Sequence, residues 1–282
     1  MPPTFVVVPQ WQGSSSPRAM RLSDGAEAIR GDLPQSRTRV IEIPVEAGDA
    51  LETGVHRYSA LHTVRERLAR ELQVPELQSG SDWALTIGGD CGVSLTAVDH
   101  ASTAHPDAMA VVWFDAHPDL HTPESSISGA FTGMVLRAIS GEGAEGLALT
   151  APGAVPLGRV VLAGIRDIDP AEADLIGERE IAAVPVAELD TPDAVLAAVG
   201  ATGATAVYVH IDLDVLDPSV ITGISNAVPF GLSVEALTAA IIALKTTYTL
   251  AGATIAGFAP STPDAANDDL SAILRIIGAL TR

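Results

Sequence analysis

Residues 111–119 read Val-Val-Trp-Phe-Asp-Ala-His-Pro-Asp, an apolar run that drives directly into two carboxylates and an imidazole at alternate positions. In an extended strand successive side chains point to opposite faces. Asp115 and His117 therefore share one side of the strand end, and Asp119 joins them if the extension persists past Pro118. The pattern returns at residues 206–218, Ala-Val-Tyr-Val-His-Ile-Asp-Leu-Asp-Val-Leu-Asp-Pro, where Asp212 and Asp214 stand two apart at the end of a second β-rich run. Carboxylates packed this closely repel unless protons or a cation neutralise them. A divalent metal among the two strand ends is the expectation.

The rest of the chain is organised around these strands. Apolar runs predict strands at residues 5–8, 40–45, 83–87, 109–114, 159–163, 181–186, 207–211 and 253–258. Helical spacing predicts helices at 58–72, 97–104, 131–139, 171–176, 194–199, 234–244 and 270–280. Between residues 12 and 37 only a short helix near Glu27 is legible. About eight strands alternating with helices read as an open α/β sheet. With 282 residues, 47% of them hydrophobic, the chain suffices for one large core, and a single domain over residues 1–282 is expected. Ligands of such sheets collect beyond the carboxyl ends of the strands. The polar interruptions Gly-Gly-Asp-Cys (88–91), Asp-Ala-His-Pro-Asp (115–119), Arg-Asp-Ile-Asp (166–169) and Asp-Leu-Asp (212–214) all fall at those ends. Parity places His210 on the face of Asp212 but deeper, as a core histidine beneath the metals.

Composition excludes several classes. Cys91 is the only cysteine, so there is neither an internal disulfide nor a cysteine-rich zinc module. A formal charge of −19 opposes nucleic acid and anionic membranes. The start, Met-Pro-Pro-Thr-Phe-Val-Val-Val, lacks the pattern of a secretory signal, and no apolar stretch approaches the roughly 20 residues of a membrane span. A soluble, cytoplasmic protein acting on a small molecule is expected.

The four motifs, in this order, resemble the ureohydrolases, the family of arginase, agmatinase and formiminoglutamase, from about Asp82 to Phe258. Thr122-Pro123, Ser128-Gly129 and the run 164–169 extend the likeness. The resemblance implies a three-layer α/β/α fold with an eight-stranded, mostly parallel sheet, two manganese ions, and a trimer or hexamer. It implies that Asp115 and Asp212 bridge the metals, that Asp119 completes one site, and that His117 and Asp214 complete the other. A hydroxide held between the metals would attack a guanidinium or related carbon. Carboxylates with one imidazole suit manganese or magnesium on chemical grounds alone. Asp169 resembles the family's contact to the substrate amine, though it also reads as the N-cap before Pro170. Ser128 and Asn226 are the further expected substrate contacts.

Three positions depart from the family pattern. Cys91 stands where a histidine usually ligates the first metal. As a ligand it favours zinc or iron; as a protonated thiol it leaves that metal with carboxylates only. Thr132 replaces a histidine near the leaving group, and a hydroxyl cannot shuttle protons at neutral pH. Gly257 stands where a glutamate usually pairs with guanidinium. His121 is the nearest surplus imidazole, either a catalytic proton shuttle alongside Asp119 or a side chain on the pocket rim. The leading expectation is a metal-dependent hydrolase of a C–N bond in a linear amidine. The alternatives are a metal-binding relative that has lost turnover and a single-metal, deacetylase-like amidohydrolase using zinc.

Overall fold

In a computed structural model, residues 3–74, 77 and 83–282 are described. Met1, Pro2 and Asp82, which bound the N-terminal reading and the start of the family likeness, lie outside them. The strands are β1 (Thr4–Val8), β2 (Thr38–Val40), β3 (Ala84–Gly88), β4 (Met109–Phe114), β5 (Val160–Ala163), β6 (Ala182–Val184), β7 (Ala206–Asp212) and β8 (Thr249–Ala256). They form one sheet in the order β2-β1-β3-β8-β7-β4-β5-β6. Every pairing in it is parallel.

Alternation along each strand feeds two helical layers. Val112 and Phe114 of β4, with Val209 and Ile211 of β7, pack in one cluster against α1 (Met20–Gly31), α6 (Asp193–Ala201), α7 (Val234–Thr247) and α8 (Pro263–Thr281). Val111 and Trp113, with Tyr208, face the other way, into α3 (Ser94–Ala104), α4 (Val135–Ile139) and α5 (Pro170–Glu178). At the β1 edge α2 (Tyr58–Leu72) covers Val6 and Val8 with Val64, Leu68 and Leu72. The result is the expected three-layer arrangement.

Four local expectations change. The strand expected at 40–45 lies at Thr38–Val40, because it is an edge strand whose limits follow its register with β1, Phe5 against Thr38, rather than an apolar run. The short helix near Glu27 is a twelve-residue helix, α1, that buries Leu22, Gly25, Ala26 and Ile29. The helix expected at 131–139 opens with a 3-10 turn, Phe131–Met134. The β4 extension does not persist past Pro118: Asp119 has a φ of 54°, in the left-handed region that Asp tolerates better than most residues.

Candidate metal centre

The ends of β3, β8, β7, β4 and β5 are neighbours in the sheet, so the polar residues beyond them converge. They line a cavity of about 340 Å³ that includes Cys91, Asp115, His117, Asp119, Asp212, Asp214 and Gly257, with His121, Ser128, Asp169 and Asn226 toward its mouth. Strand parity puts Asp115 and Asp212 on the same side of the sheet as Trp113 and Tyr208. The left-handed turn at Asp119 then brings its carboxylate in from the loop.

Asp115, at 2% exposure, is held on both oxygens. Its Oδ1 accepts from the His117 backbone N–H at 2.7 Å, and its Oδ2 accepts from Trp113 Nε1 at 3.1 Å. His117 Nδ1 lies 3.0 Å from Asp214 Oδ2 and 3.3 Å from Asp115 Oδ1. Asp214 Oδ1 accepts from Ala116 N at 3.0 Å, and Asp212 Oδ1 accepts from Asp214 N at 3.1 Å. These backbone bonds fix the carboxylates before any ion arrives, as a preorganised site requires. Ligand atoms of Asp115, His117 and Asp214 lie within 4.8 Å of one another, and so do those of Asp115, His210 and Asp212. Among the described residues the ion-pair partners of Asp115 and Asp214 are imidazoles, not arginine or lysine.

The electrostatics of the cluster fit a cation. Burial raises the Asp212 carboxyl well above its ordinary value, and Asp214 and Asp115 raise it further. Burial and then Asp115 do the same to Asp119. Burial pushes Asp214 up to about 6, with Asp115 adding to it and His117 opposing. For Asp115 burial also raises the pKa, but the neighbouring imidazoles of His117 and His210 outweigh it and hold the carboxyl below the usual range. His117 shows the converse: burial lowers its pKa, and Asp115 and Asp214 overcome that and push it up to about 12. A carboxylate set that holds protons this tightly is one that a divalent ion, displacing them, would bind strongly.

Cys91 reaches the cluster as a hydrogen-bond donor. Its Sγ lies 3.3 Å from Asp119 Oδ2 and 3.6 Å from the Thr132 carbonyl. Burial, and then Asp119, raise the thiol well above its ordinary value, so it is protonated in the metal-free protein. At the mouth, His121 Nε2 lies 3.0 Å from Asp169 Oδ2 and its Nδ1 lies 3.1 Å from Ser125 Oγ. Asp169 occupies the N-cap of α5 and also lines the cavity. Ser128 Oγ accepts from Ala130 N at 3.2 Å. At Gly257, φ is 88° and an added Cβ would overlap Asp212 Oδ1, so no side chain enters the cavity there.

The residues 14–280 match the family model described as the arginase family. The chain belongs to the arginase family. It is therefore a metal-dependent hydrolase. An arginase of Staphylococcus aureus is 27% identical over 210 residues, covering 72% of this chain and 67% of that one. The N(omega)-hydroxy-L-arginine amidinohydrolase of Streptomyces lavendulae is 36% identical over 176 residues, 61% of this chain and 60% of that one. The crystal structure of Entamoeba histolytica arginase with L-ornithine superposes with a TM-score of 0.86 at 22% identity, covering 99% of each chain. Among the described residues no helix is long and apolar enough to cross a membrane.

Sequence reasoning missed three supports of this arginase-family site. Asp90 is buried and accepts from Gln10 Nε2 at 2.7 Å, Gly13 N at 2.8 Å and Gly92 N at 2.9 Å, tying the N-terminal loop to the turn that carries Cys91. Glu172 accepts from Leu120 N at 2.9 Å and Asp169 N at 3.2 Å, locking the loop after Asp119 to α5. The signal for it was present: Asp169 followed by Glu172 three residues later is a capping-box spacing. Arg166 had no such signal, because its partners are backbone carbonyls from three loops.

Proposed function

We propose that this chain hydrolyses the C–N bond of a linear amidine, a guanidino or formimino compound, with manganese held by Asp115, His117, Asp119, Asp212 and Asp214. The observation that carries the reading is the cluster of buried carboxylates beyond the ends of β4 and β7, whose ion-pair partners are imidazoles. When bound, the ions polarise the reacting group and supply a nucleophile from water at neutral pH. The chain's own groups do the remainder. Asp167 and Asp169 give the mouth a negative potential that attracts a cationic amidine, and Ser128 and Asn226 offer neutral polar contacts beside it. Hydrolysis adds the oxygen of water to the amidine carbon and delivers a proton to the departing amine nitrogen. His121, oriented by Asp169, is the imidazole placed to deliver it in a pocket where position 132 is a threonine. Cys91 remains a thiol donor to Asp119 instead of replacing the family histidine as a ligand.

The names of the relatives favour this reading over a turnover-deficient binder and over a deacetylase-like site. Gly257 removes the carboxylate with which the family usually meets guanidinium, so plain arginine is not the preferred substrate. N(omega)-hydroxy-L-arginine, named for the Streptomyces lavendulae relative, heads the test panel. A single domain over residues 1–282, a cytoplasmic setting and a homotrimer or homohexamer complete the proposal. The test is metal analysis of protein prepared with manganese or with zinc, coupled to a screen of guanidino and formimino compounds. Two manganese ions per chain with urea or amide release are expected. Stoichiometric zinc with deacetylation alone, or no metal at all, overturns the reading.

A further inference from the structure

His210 is the one buried imidazole whose chemistry the site has not absorbed. It sits on β7 two residues before Asp212, at 0% exposure. Its ring stacks on Trp113, with 3.5 Å between centroids and 15° between planes. Nδ1 lies 2.8 Å from Ser94 Oγ, whereas Nε2 has no hydrogen-bond partner. A buried nitrogen left without a partner calls for a reason.

The direction of that nitrogen supplies the reason. Nε2 faces Asp115 Oδ2 across 3.8 Å, too far for a hydrogen bond, and that oxygen already accepts from Trp113. With metal–ligand bonds of about 2.1 Å, two ligand atoms on one ion stand about 3.0 Å apart when adjacent and about 4.2 Å apart when opposite. The gap of 3.8 Å fits an ion between them and does not fit a direct bond. Asp212 offers the third ligand atom within 4.8 Å of both. The Ser94 contact completes the pattern of a ligating histidine: Nδ1 is paired with a hydroxyl at 2.8 Å, which holds the ring and leaves Nε2 toward the carboxylates.

We infer that His210 is a metal ligand, supplying from β7, together with Asp115 and Asp212, the imidazole that position 91 no longer provides. This rests on the reading that divalent ions occupy the cluster, and it alters the consequence of the Cys91 departure. The first metal keeps one nitrogen ligand among its carboxylates, a donor set that manganese or zinc can occupy, while Cys91 remains a donor to Asp119.

The test is the full-length wild-type protein, 15N-labelled at histidine and loaded with 113Cd. His210 is recognised by nuclear Overhauser contacts to the Trp113 ring. A scalar coupling between 113Cd and His210 Nε2, beside one at His117, is expected. Bound cadmium coupled to His117 but not to His210 overturns the inference and leaves the proposed function standing. Cadmium that does not bind at all overturns both. Independently, His210→Gln should weaken manganese binding at one of two sites by tenfold or more in an electron paramagnetic resonance titration. Adding Cys91→His in that background should recover the lost affinity. Unchanged affinity in a folded His210→Gln protein would also sink the assignment, and the wild-type coupling decides the matter if that variant fails to fold.

Discussion

Asp212 carries the cost of the site most visibly. It is buried beside Asp214 and Asp115, and burial with those two neighbours makes its ionised form costly in the metal-free protein. Asp212→Asn removes that charge at nearly constant shape. The metal-free protein should gain about 1–3 kcal/mol, a rise of several degrees in Tm. The further rise that manganese gives the wild type should disappear. Thermal denaturation with chelator and with manganese checks both; a lower metal-free Tm with the manganese shift intact would contradict the reading. Gly257 belongs to the same scale. With φ at 88° and Asp212 where a Cβ would go, Gly257→Ala should cost more than about 1 kcal/mol and weaken metal binding, read by calorimetry. The sequence marks Gly257 only as the place where a glutamate is missing. That glycine is required there depends on a positive φ and a neighbour 45 residues earlier, neither of which a local pattern records. Cys91 is similar: its residue type was plain, but its role as a donor follows from Asp119 lying 3.3 Å away.

At the scale of elements, the central strands were legible because each is apolar on both faces and ends abruptly at charge. The edge strand β2 was not, since partial exposure leaves no apolar run and pairing with β1 alone sets its limits. Between elements, one side chain does what no strand can. The guanidinium of Arg166 donates to the carbonyls of Gly164, Asp214 and Val228 at 3.1, 2.7 and 2.8 Å, binding the β5 and β7 ends to the loop before α7. An ammonium lacks the planar fork needed to serve these acceptors together. Arg166→Lys should therefore cost about 1–3 kcal/mol and speed hydrogen exchange of the amides over residues 214–230. Unchanged exchange there would show that the loop is held by other means.

For the whole molecule, the site couples folding, protons and metal. In the metal-free protein Asp90 and Asp214 are pushed up to about 6, the first by burial against its hydrogen bonds and the second by burial and Asp115. Burial leads the rise of Asp119 and Asp212 as well. His117, its burial outweighed by Asp115 and Asp214, is pushed up to about 12. Each of these groups binds protons more tightly folded than unfolded, so stability falls as pH rises from its ordinary value to its folded one. Asp115, held low, contributes only below about pH 4. The Tm of the metal-free protein should therefore fall between about pH 5 and pH 8, while manganese affinity rises over the same range as the ion displaces those protons. Denaturation with and without chelator across that range measures both slopes, and a metal-free Tm that climbs with pH would contradict the sign. The sequence by itself determined the alternation of strands and helices, the rim of polar strand ends and the family of the chemistry, because these are written in local periodicity and fixed spacing. Only the tertiary structure decided that Asp119 turns in through a left-handed backbone, that Cys91 donates to it, and that the Nε2 of His210 is left facing the carboxylates. Those facts arise where five strands from distant parts of the chain meet, and a distance between distant residues is set by packing, not by spacing.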